Sequence, residues 1–276
     1  MSKKFLCALL LLLFLLMFVN SAFARHKVGT IEMTNVTPEI LGEFALRELD
    51  QGNVNVFGKS EPPTFAFFRT INAVRLSLNN GDIDEILCPE FEGDFIVKTN
   101  PDFEIKCVIR NLRGSFVFAF LDDHKALRDE FNEALKTLRG NMTLDRLADE
   151  YYKDFDLKKP SVEFAKYDGA DTIKIAVTGD RPPIDLITAD GKATGFNTAI
   201  LAEIGKMLHK NIEIIQVDSG ARVPALSSGR ADVIFWVMMF DSEVDDFVNA
   251  DKPASVIVSD PYIKWNNFVH VGLKNK

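Results

Sequence analysis

Cysteine and histidine are the residues of this chain whose chemistry is easiest to recognise from their spacing. Cys7 lies in an apolar N-terminal run, whereas Cys88 and Cys107 each lie in a segment that predicts a strand. In an oxidising compartment these two could form a disulfide; otherwise they are two buried thiols. Neither has a metal-ligand spacing around it, and the four histidines are scattered along the chain. We therefore expect no metal site and no cofactor.

The composition is that of an acidic, globular chain. It has 276 residues, of which 47% are hydrophobic and 26% charged, with a formal net charge of −8. This composition favours a folded over a disordered protein, and the length allows one large domain or two lobes. Nucleic acid is not an expected partner, because an acidic chain lacks the basic surface that phosphates require.

The N-terminus has the pattern of a secretory signal. Lys3 and Lys4 form a positive n-region, an apolar run occupies Phe5–Val19, and Ser21–Ala24 supplies a small-x-small cleavage site. The alternative is a retained membrane anchor, but a spanning helix needs roughly 20 apolar residues and this run is shorter. We predict a cleaved signal peptide at 1–24 and export to the periplasm.

Strands and helices alternate in the first block of the chain. Strand patterns occupy KVGTIEM, VNVFG, DIDEILCP, FEIKCVI and GSFVFAFL, the last two as separate strands. Helical patterns occupy VTPEILGEFALRELDQG, which Thr37 can cap and Pro38 can open, and FAFFRTINAVRLSLNNG. This alternation favours a layered, mainly parallel α/β sheet.

The pattern changes in the middle of the chain. Two consecutive amphipathic helices are predicted over DDHKALRDEFNEALKTLRGN and TLDRLADEYYKDF. The charged segment Asp156–Thr172 follows; it contains Pro and Gly, has no period, and is predicted to be a linker. A second α/β block then opens with a strand at IKIAVTG and a hairpin that turns at Asp190-Gly191.

Three motifs of the second block resemble one known family in combination, although each alone is weak. They are IKIAVTGDRPPIDLITADGKATGFNTAILAEIGKML, VPALSSGRADVI and SDPYI. Together they resemble the first lobe of the type II periplasmic solute-binding proteins of polar amino acid ABC importers, extracellular solute-binding protein family 3. KVGTIEMTN, LSLNNGDIDEILCPEF and VKTNPDFEI resemble the family's second lobe, and ALRDEFNEALKTLRGNMTLDRLADEYYKDF its closing helices.

The order of these pieces differs from the order in the family. The resemblance implies an α/β fold of two lobes, the periplasmic binding protein-like II or class 2 Venus flytrap fold, in a circularly permuted form. We expect, in chain order, lobe 2 at 25–120, closing helices at 121–155, a linker at 156–172, lobe 1 at 173–262 and a hinge-crossing strand at 263–276. Chain ends that are close in space tolerate such rejoining, so the first and last mature residues should lie together at the junction between the lobes. The alternative is a piece of a tandem array.

The resemblance implies a ligand in the cleft between the lobes, but the family's amino-acid clamp is altered. Its clamping arginine aligns with Val244 and its hydroxyl contact with Met239. Its lobe-2 aspartate aligns with Pro89, next to Glu90, and its Gly-Thr anion contact survives only as Thr34.

The family's two aromatic walls are also altered, to Arg181 and Ser219. Arg181 and Glu90 could restore the missing charges in a rewired site, or Trp236 and the methionines beside it could form an apolar pocket. The alternative is that Trp236 and Met238 are lobe core and that Arg181 lies on the surface. The predicted ligand-binding residues are Asp180, Arg181, Ser219, Trp236, Val237, Met238, Met239, Thr34 and Glu90.

These observations favour a monomeric periplasmic binding protein that delivers a small polar solute, amino acid-like or a small organic acid, to the permease of an ABC importer. The alternative is a degenerate binding or sensing module without a transport role. Some relatives of this fold are dehydratases or lyases, but Glu90 is the one carboxylate placed near the cleft and it has no evident acid–base partner. We therefore do not expect an enzyme.

Overall fold

The computed structural model describes residues 26–50, 62–153, 161–241, 249 and 251–275. The predicted signal peptide, the VNVFG strand, the first part of the linker and Val244 lie outside the described residues. Within the described part, no helix combines the length and the apolar character needed to cross a bilayer.

The first elements of the chain form one end of a large sheet. They are β1 (Lys27–Ile31), α1 (Pro38–Asp50), β2 (Thr64–Phe68), α2 (Ile71–Asn80), β3 (Glu85–Pro89) and α3 (Glu90–Thr99). β1 lies between β2 and β3 and is parallel to both. As predicted, α1 begins at Pro38, and the Thr37 hydroxyl accepts a hydrogen bond from the Ile40 amide at 3.4 Å.

The second helix is shorter than the sequence predicts. FAFF belongs to strand β2, and α2 begins only after Thr70, whose hydroxyl accepts the Ala73 amide at 2.9 Å. The helix ends at Gly81 in the left-handed conformation, with φ of 77°. The helical prediction for FAFF was therefore wrong, because a cap at Thr70 separates a partly buried strand from the helix.

Two long strands join the two ends of the sheet. β4 runs over Phe103–Leu121 and replaces the two separate strands predicted there. β12 (Ile263–Leu273) pairs with it antiparallel, from Ile263 opposite Phe116 to Leu273 opposite Phe103. β12 also pairs with β3, and the second half of β4 pairs with β10 (Val233–Phe240). These strands cross from one half of the molecule to the other.

The remaining elements form the other half. β5 (Thr172–Val177) lies between β9 (Asn211–Gln216) and β10 and is parallel to both. A small sheet of β6 (Asp180–Arg181), β7 (Asp185–Ile187) and β8 (Ala193–Thr194) contains the hairpin predicted at Asp190-Gly191. The other elements here are α6 (Phe196–Leu208), α7 (Arg222–Ser227), which Ser219–Ala221 precede as a 3₁₀ turn, and β11 (Val256–Val258).

The predicted helical pair packs on this second half. α4 (Lys125–Gly140) and α5 (Thr143–Ala148) contact α6, and α4 buries Phe131, Leu135 and Leu138 in the same core cluster as α6. Residues 161–171 form neither helix nor strand, and the Val162 amide donates to the Ala193 carbonyl at 3.2 Å.

The large sheet of the described part of the chain thus has the order β2-β1-β3-β12-β4-β10-β5-β9, with β11 beside β4, and the small sheet of β6, β7 and β8 is separate from it. We call the half built on β1, β2 and β3 lobe 2, and the half built on β5, β9 and β10 lobe 1. Mixed α/β lobes joined by crossing strands form the two-lobe periplasmic-binding-protein-like fold, as predicted.

Residues near the two ends of the described chain lie close together. Val28 of β1 and Gly272 of β12 both pair with Glu85, one on each side of β3. They lie at the outer end of the lobe 2 sheet, not at the lobe junction as expected, because β12 continues along the whole of β3 before it ends.

Candidate functional site

The carboxyl ends of the parallel strands of both lobes point toward the boundary between the lobes. In lobe 1, β5 and β9 end at Val177 and Gln216, and in lobe 2, β2 ends at Phe68. Crevices outside the carboxyl ends of such strands are the usual ligand sites of open α/β sheets. The residues that follow these strands can therefore contact a ligand between the lobes.

A cleft of about 660 Å³ opens at this boundary. Lobe 2 contributes Arg69 and Thr70, directly before α2. Lobe 1 contributes two acidic residues, Asp180 and Asp218, and the base Arg230. Burial raises the pKa of Asp180, although its hydrogen bond with Thr178 and the nearby arginines oppose this effect. The volume is in the range of small-molecule sites, and the lining carries both signs of charge.

Behind this cleft, Arg181 of lobe 1 forms a buried ion pair with Glu92 of lobe 2. Nε of Arg181 donates to Glu92 Oε1, and Nη2 donates to Oε2 at 3.2 Å, so the pair is bidentate. Arg181 is 2% exposed and Glu92 is fully buried. Burial lowers the pKa of Arg181, but the Glu92 carboxylate outweighs it and the net pKa is raised.

Aromatic rings pack against the buried guanidinium groups of Arg181 and Arg222. Cζ of Arg181 lies 4.6 Å from the ring centroid of Phe116 and 4.5 Å from that of Trp236. Cζ of Arg222 lies only 3.6 Å from the ring centroid of Trp236. These distances are within the range of cation–π attraction, which is strongest where water is excluded.

The backbone of Trp236 is held in an unusual conformation to place its ring. Its φ is +54°, which is rare for a bulky residue, and β10 is irregular between Ile234 and Val237. The Trp236 amide donates to the hydroxyl of Tyr262 at 2.9 Å. Burial raises the pKa of Tyr262, so this hydroxyl stays protonated. Backbone strain of this kind clusters at functional sites.

A second buried acid, Asp251, also bridges the lobes. Its Oδ1 accepts hydrogen bonds from the amide and the hydroxyl of Thr34 in lobe 2, at 3.1 and 2.8 Å. Its Oδ2 accepts from the amide of Met238 in lobe 1 at 3.2 Å. Nη2 of Arg222 lies 3.7 Å from Oδ1, an ion pair without hydrogen-bond contact.

A third buried acid, Asp185, belongs to lobe 1 alone. Its Oδ2 accepts from the amide and hydroxyl of Thr178 and from the amide of Gly179, at 2.9 to 3.1 Å. Burial raises the pKa of Asp185 to about 6, against the opposing effect of these hydrogen bonds. Asp185 therefore shapes the turn that presents Asp180 and Arg181.

The predicted site residues fall into three groups. Asp180 and Ser219 line the cleft. Arg181 and Thr34 lie behind it, in the contacts with Glu92 and Asp251, so the alternative that placed Arg181 on the surface was wrong.

The other predicted residues lie deeper or to one side. Trp236, Val237 and Met238 are buried in β10, and Met239 is half-buried. Glu90 accepts a hydrogen bond from Asn267 Nδ2 on the crossing strand at 2.8 Å. The core alternative therefore holds for the burial of Trp236 and Met238, while the ring of Trp236 also contacts both arginines.

Sequence reasoning missed Glu92, Arg222, Asp251, Arg69 and Arg230. Glu92 lies on α3, a helix that was not predicted, although the acidic residues Glu90 and Glu92 in its first turn were a signal for it. Asp251 and Arg222 carry no local signal, since their partners are remote in sequence.

The structure also shows whether the cysteines are bonded and whether possible metal ligands come together. Cys88 and Cys107 form no disulfide with each other, and burial raises the pKa of both thiols. Among the described residues, no group of three or more His, Cys, Asp or Glu is arranged to hold a metal ion.

A comparison with known protein families gives a match for the second block of the chain. Residues 173–270 match the family model of bacterial extracellular solute-binding proteins, family 3. The matched segment spans lobe 1 and most of β12, and so includes Asp180, Arg181 and Asp251. Among curated proteins, no sequence matches the chain.

Several solved structures resemble the chain at low identity. The ligand-binding component of an ABC-type import system from Staphylococcus aureus, with zinc bound, is 9% identical over 90% of this chain and 65% of that one, with a TM-score of 0.45. A pheromone cOB1 precursor/lipoprotein of the YaeC family from Enterococcus faecalis is 14% identical over 91% and 85%, also with a TM-score of 0.45. The GluR0 ligand-binding core in complex with L-glutamate is 7% identical over 92% and 87%, with a TM-score of 0.42.

Proposed function

We propose that the protein is a periplasmic binding protein that holds a small amino acid-like solute or small organic acid in the cleft between its lobes and presents it to the permease of an ABC importer. The match of residues 173–270 to extracellular solute-binding proteins supports the binding role. The proposal assigns no catalytic step to the cleft and includes export through the signal peptide at 1–24.

The single observation that carries the proposal is the charge arrangement of the cleft. Arg69 on lobe 2 and Arg230 on lobe 1 can receive a carboxylate, and the N-terminus of α2 behind Thr70 favours the same sign. Asp180 and Asp218 on lobe 1 can receive an ammonium group. A zwitterion, or an acid with a hydroxyl group, satisfies both sets of charges and contacts both lobes.

The same fold without a transport role is the second candidate. The observation that favours it is that Arg181 and Asp251 fill the space behind the cleft with the protein's own charges. A module of this kind would bind its solute weakly or not at all, and it would act through contact with another protein.

The order of the elements supports circular permutation as part of the proposal. Val28 and Gly272 flank Glu85 across two strand spacings, about 10 Å. A short connector could therefore join β12 to β1, as the family order requires, without disturbing the sheet.

A thermal-shift screen tests the proposal. The full mature chain is melted with a panel of amino acids, hydroxy acids, dicarboxylates and apolar solutes. A solute at about 100 times its Kd should raise the Tm by roughly 5–10 °C, because binding to the native state stabilises it.

Variants then locate the binding site. Arg69→Met and Asp180→Asn should each remove the shift, while the matched controls Arg146→Met and Asp123→Asn, both exposed and remote from the cleft, should retain it. A shift that survives both cleft variants contradicts the proposed site. A panel without any shift favours the module without a transport role.

A further inference from the structure

Asp251 is a lobe 1 side chain bound as a ligand would be bound. Its carboxylate is 2% exposed and accepts hydrogen bonds from Thr34 of lobe 2 and Met238 of lobe 1, with Arg222 at 3.7 Å. Donors from both lobes therefore converge on one anion. A carboxylate with such partners contributes more than a surface ion pair, because solvent does not screen it.

Arg181 is the cationic counterpart from the same lobe. Glu92 of lobe 2 binds its guanidinium at two atoms, and the rings of Phe116 and Trp236 lie 4.6 and 4.5 Å from Cζ. Aromatic rings and a carboxylate are the groups that a binding cleft would offer to a cationic solute.

The two contacts are arranged in the same way. In each, a charge that extends from lobe 1 is received by lobe 2, through Thr34 for the anion and through Glu92 for the cation. An additional contact reinforces the first: Nδ2 of Asn35 in lobe 2 donates to the carbonyl groups of Asn249 and Lys252 at 2.8 and 2.7 Å.

We infer that Asp251 and Arg181 are internal ligands: a carboxylate and a guanidinium of lobe 1 that occupy an anion site and a cation site of lobe 2 and hold the lobes closed without a solute. The lobes are then held closed by contacts within the chain itself. A solute in the cleft binds between lobes that are already closed and does not have to close them.

The inference goes beyond the proposed function and does not require a solute. Lobe closure is measured with none added, so failure of the internal ligands and failure of solute binding are separate results. Removal of the Asp251 side chain should also leave its hydrogen-bond donors, on Thr34 and Met238, around an empty space. We call this space the donor cage, and a free carboxylate can enter it.

The test is chemical rescue of Asp251→Ala with acetate and formate. Small-angle X-ray scattering should show a larger radius of gyration for Asp251→Ala than for the wild type, and the Tm should fall. Millimolar acetate or formate, at constant ionic strength, should restore both values. Arg181→Met should open the lobes without being rescued by either anion.

Controls separate rescue from general salt effects. Asp123→Ala, at an exposed site, should keep the wild-type radius and show no response to acetate. Thr34→Val in the Asp251→Ala background should abolish rescue, because it removes the hydroxyl donor of the cage. If Asp251→Ala does not fold, Asp251→Asn provides the same opening test at constant side-chain size.

The inference is overturned if Asp251→Ala or Asp251→Asn, folded by near-UV circular dichroism, keeps the radius of gyration of the wild type. It is also overturned if acetate stabilises Asp123→Ala and the wild type as much as Asp251→Ala.

Discussion

The guanidinium of Arg222 lies 3.6 Å from the ring centroid of Trp236, and the same ring lies 4.5 Å from Cζ of Arg181. One indole therefore supports both cations at the lobe boundary, at the expense of a positive φ in its own backbone. The ring, the two arginines and their acids form one buried network.

Trp236→Leu should destabilise the protein by about 3 kcal/mol, since it removes a buried ring and its attraction to two cations. Trp236→Phe keeps a π face and should cost clearly less. Urea unfolding followed by far-UV circular dichroism measures both. Equal losses for Leu and Phe would show that the π face kept by Phe adds nothing measurable to stability at this position.

Glu92→Gln should cost about 3–5 kcal/mol of unfolding free energy, because it leaves the Arg181 guanidinium buried without its counter-charge. The double variant Glu92→Leu/Arg181→Met removes both charges and should recover most of that loss. Chemical denaturation of the single and double variants gives the coupling free energy between position 92 and position 181. A loss below about 1 kcal/mol for Glu92→Gln is the value expected of a solvent-screened pair and would contradict a buried one.

Asp185 should make the protein less stable as the pH rises through the range from about 4 to about 6. Its folded pKa is raised to about 6, whereas an unfolded aspartate has a pKa of about 3.9. The folded state therefore binds more protons in this interval, so the stabilising contribution is complete below the unfolded pKa and is lost as the pH rises through about 6.

The variant Asp185→Asn lacks this titration. Its unfolding free energy relative to that of the wild type should rise by roughly 2–3 kcal/mol between pH 4 and pH 7. Denaturant titrations across this range measure the difference. A difference that does not change with pH would mean that Asp185 has an ordinary pKa.

Gly93 and Gly42 should respond oppositely to alanine. A Cβ at Gly93 would collide with the side chain of Val269 on β12, so Gly93→Ala should destabilise the protein by about 1–3 kcal/mol. No atom lies within 4 Å of a Cβ at Gly42, so Gly42→Ala in α1 should be neutral or stabilise by roughly 0.5–1 kcal/mol. Thermal unfolding of both variants tests the close packing of α3 on the crossing strand.

A rearranged chain tests the circular permutation. It begins at Ser161, continues to Asn275, is joined to His26 by a short Gly/Ser connector, and ends at Lys153. Because Val28 and Gly272 lie on either side of Glu85, this chain should give the same far-UV spectrum and a Tm within a few degrees of the original. A rearranged chain that is unfolded would contradict the proposed relation to the family order.

Much of the fold could be predicted because local signals agree with the tertiary structure. The Asp190-Gly191 turn, the cap at Thr37 and the apolar face of α4 each specify an element without reference to the rest of the chain.

The errors occur where the lobes meet. β4 was predicted as two strands because its crossing region is exposed, and Asn111 there has a φ of +64°, a pattern that resembles a loop. α3 was missed because Gly93 interrupts a helical pattern, although Gly93 is needed for contact with β12.

The site was less predictable than the fold because its contacts are remote in sequence. Arg181 and Glu92 are 89 positions apart, and Thr34 and Asp251 are 217 apart. The matched motifs of the second block indicate where the cleft lies, but no local pattern indicates which acid of one lobe will meet which base of the other.

The most direct test of a solute site between the lobes is isothermal titration of the panel into the wild type and into Asp180→Asn. The account predicts that at least one amino acid-like or acidic solute binds at one site per chain. It also predicts that Asp180→Asn lowers the affinity for this solute by about tenfold or more, as expected for the loss of a charged hydrogen-bond partner. Equal affinity for the wild type and Asp180→Asn, or no binding by any member of the panel, would contradict it.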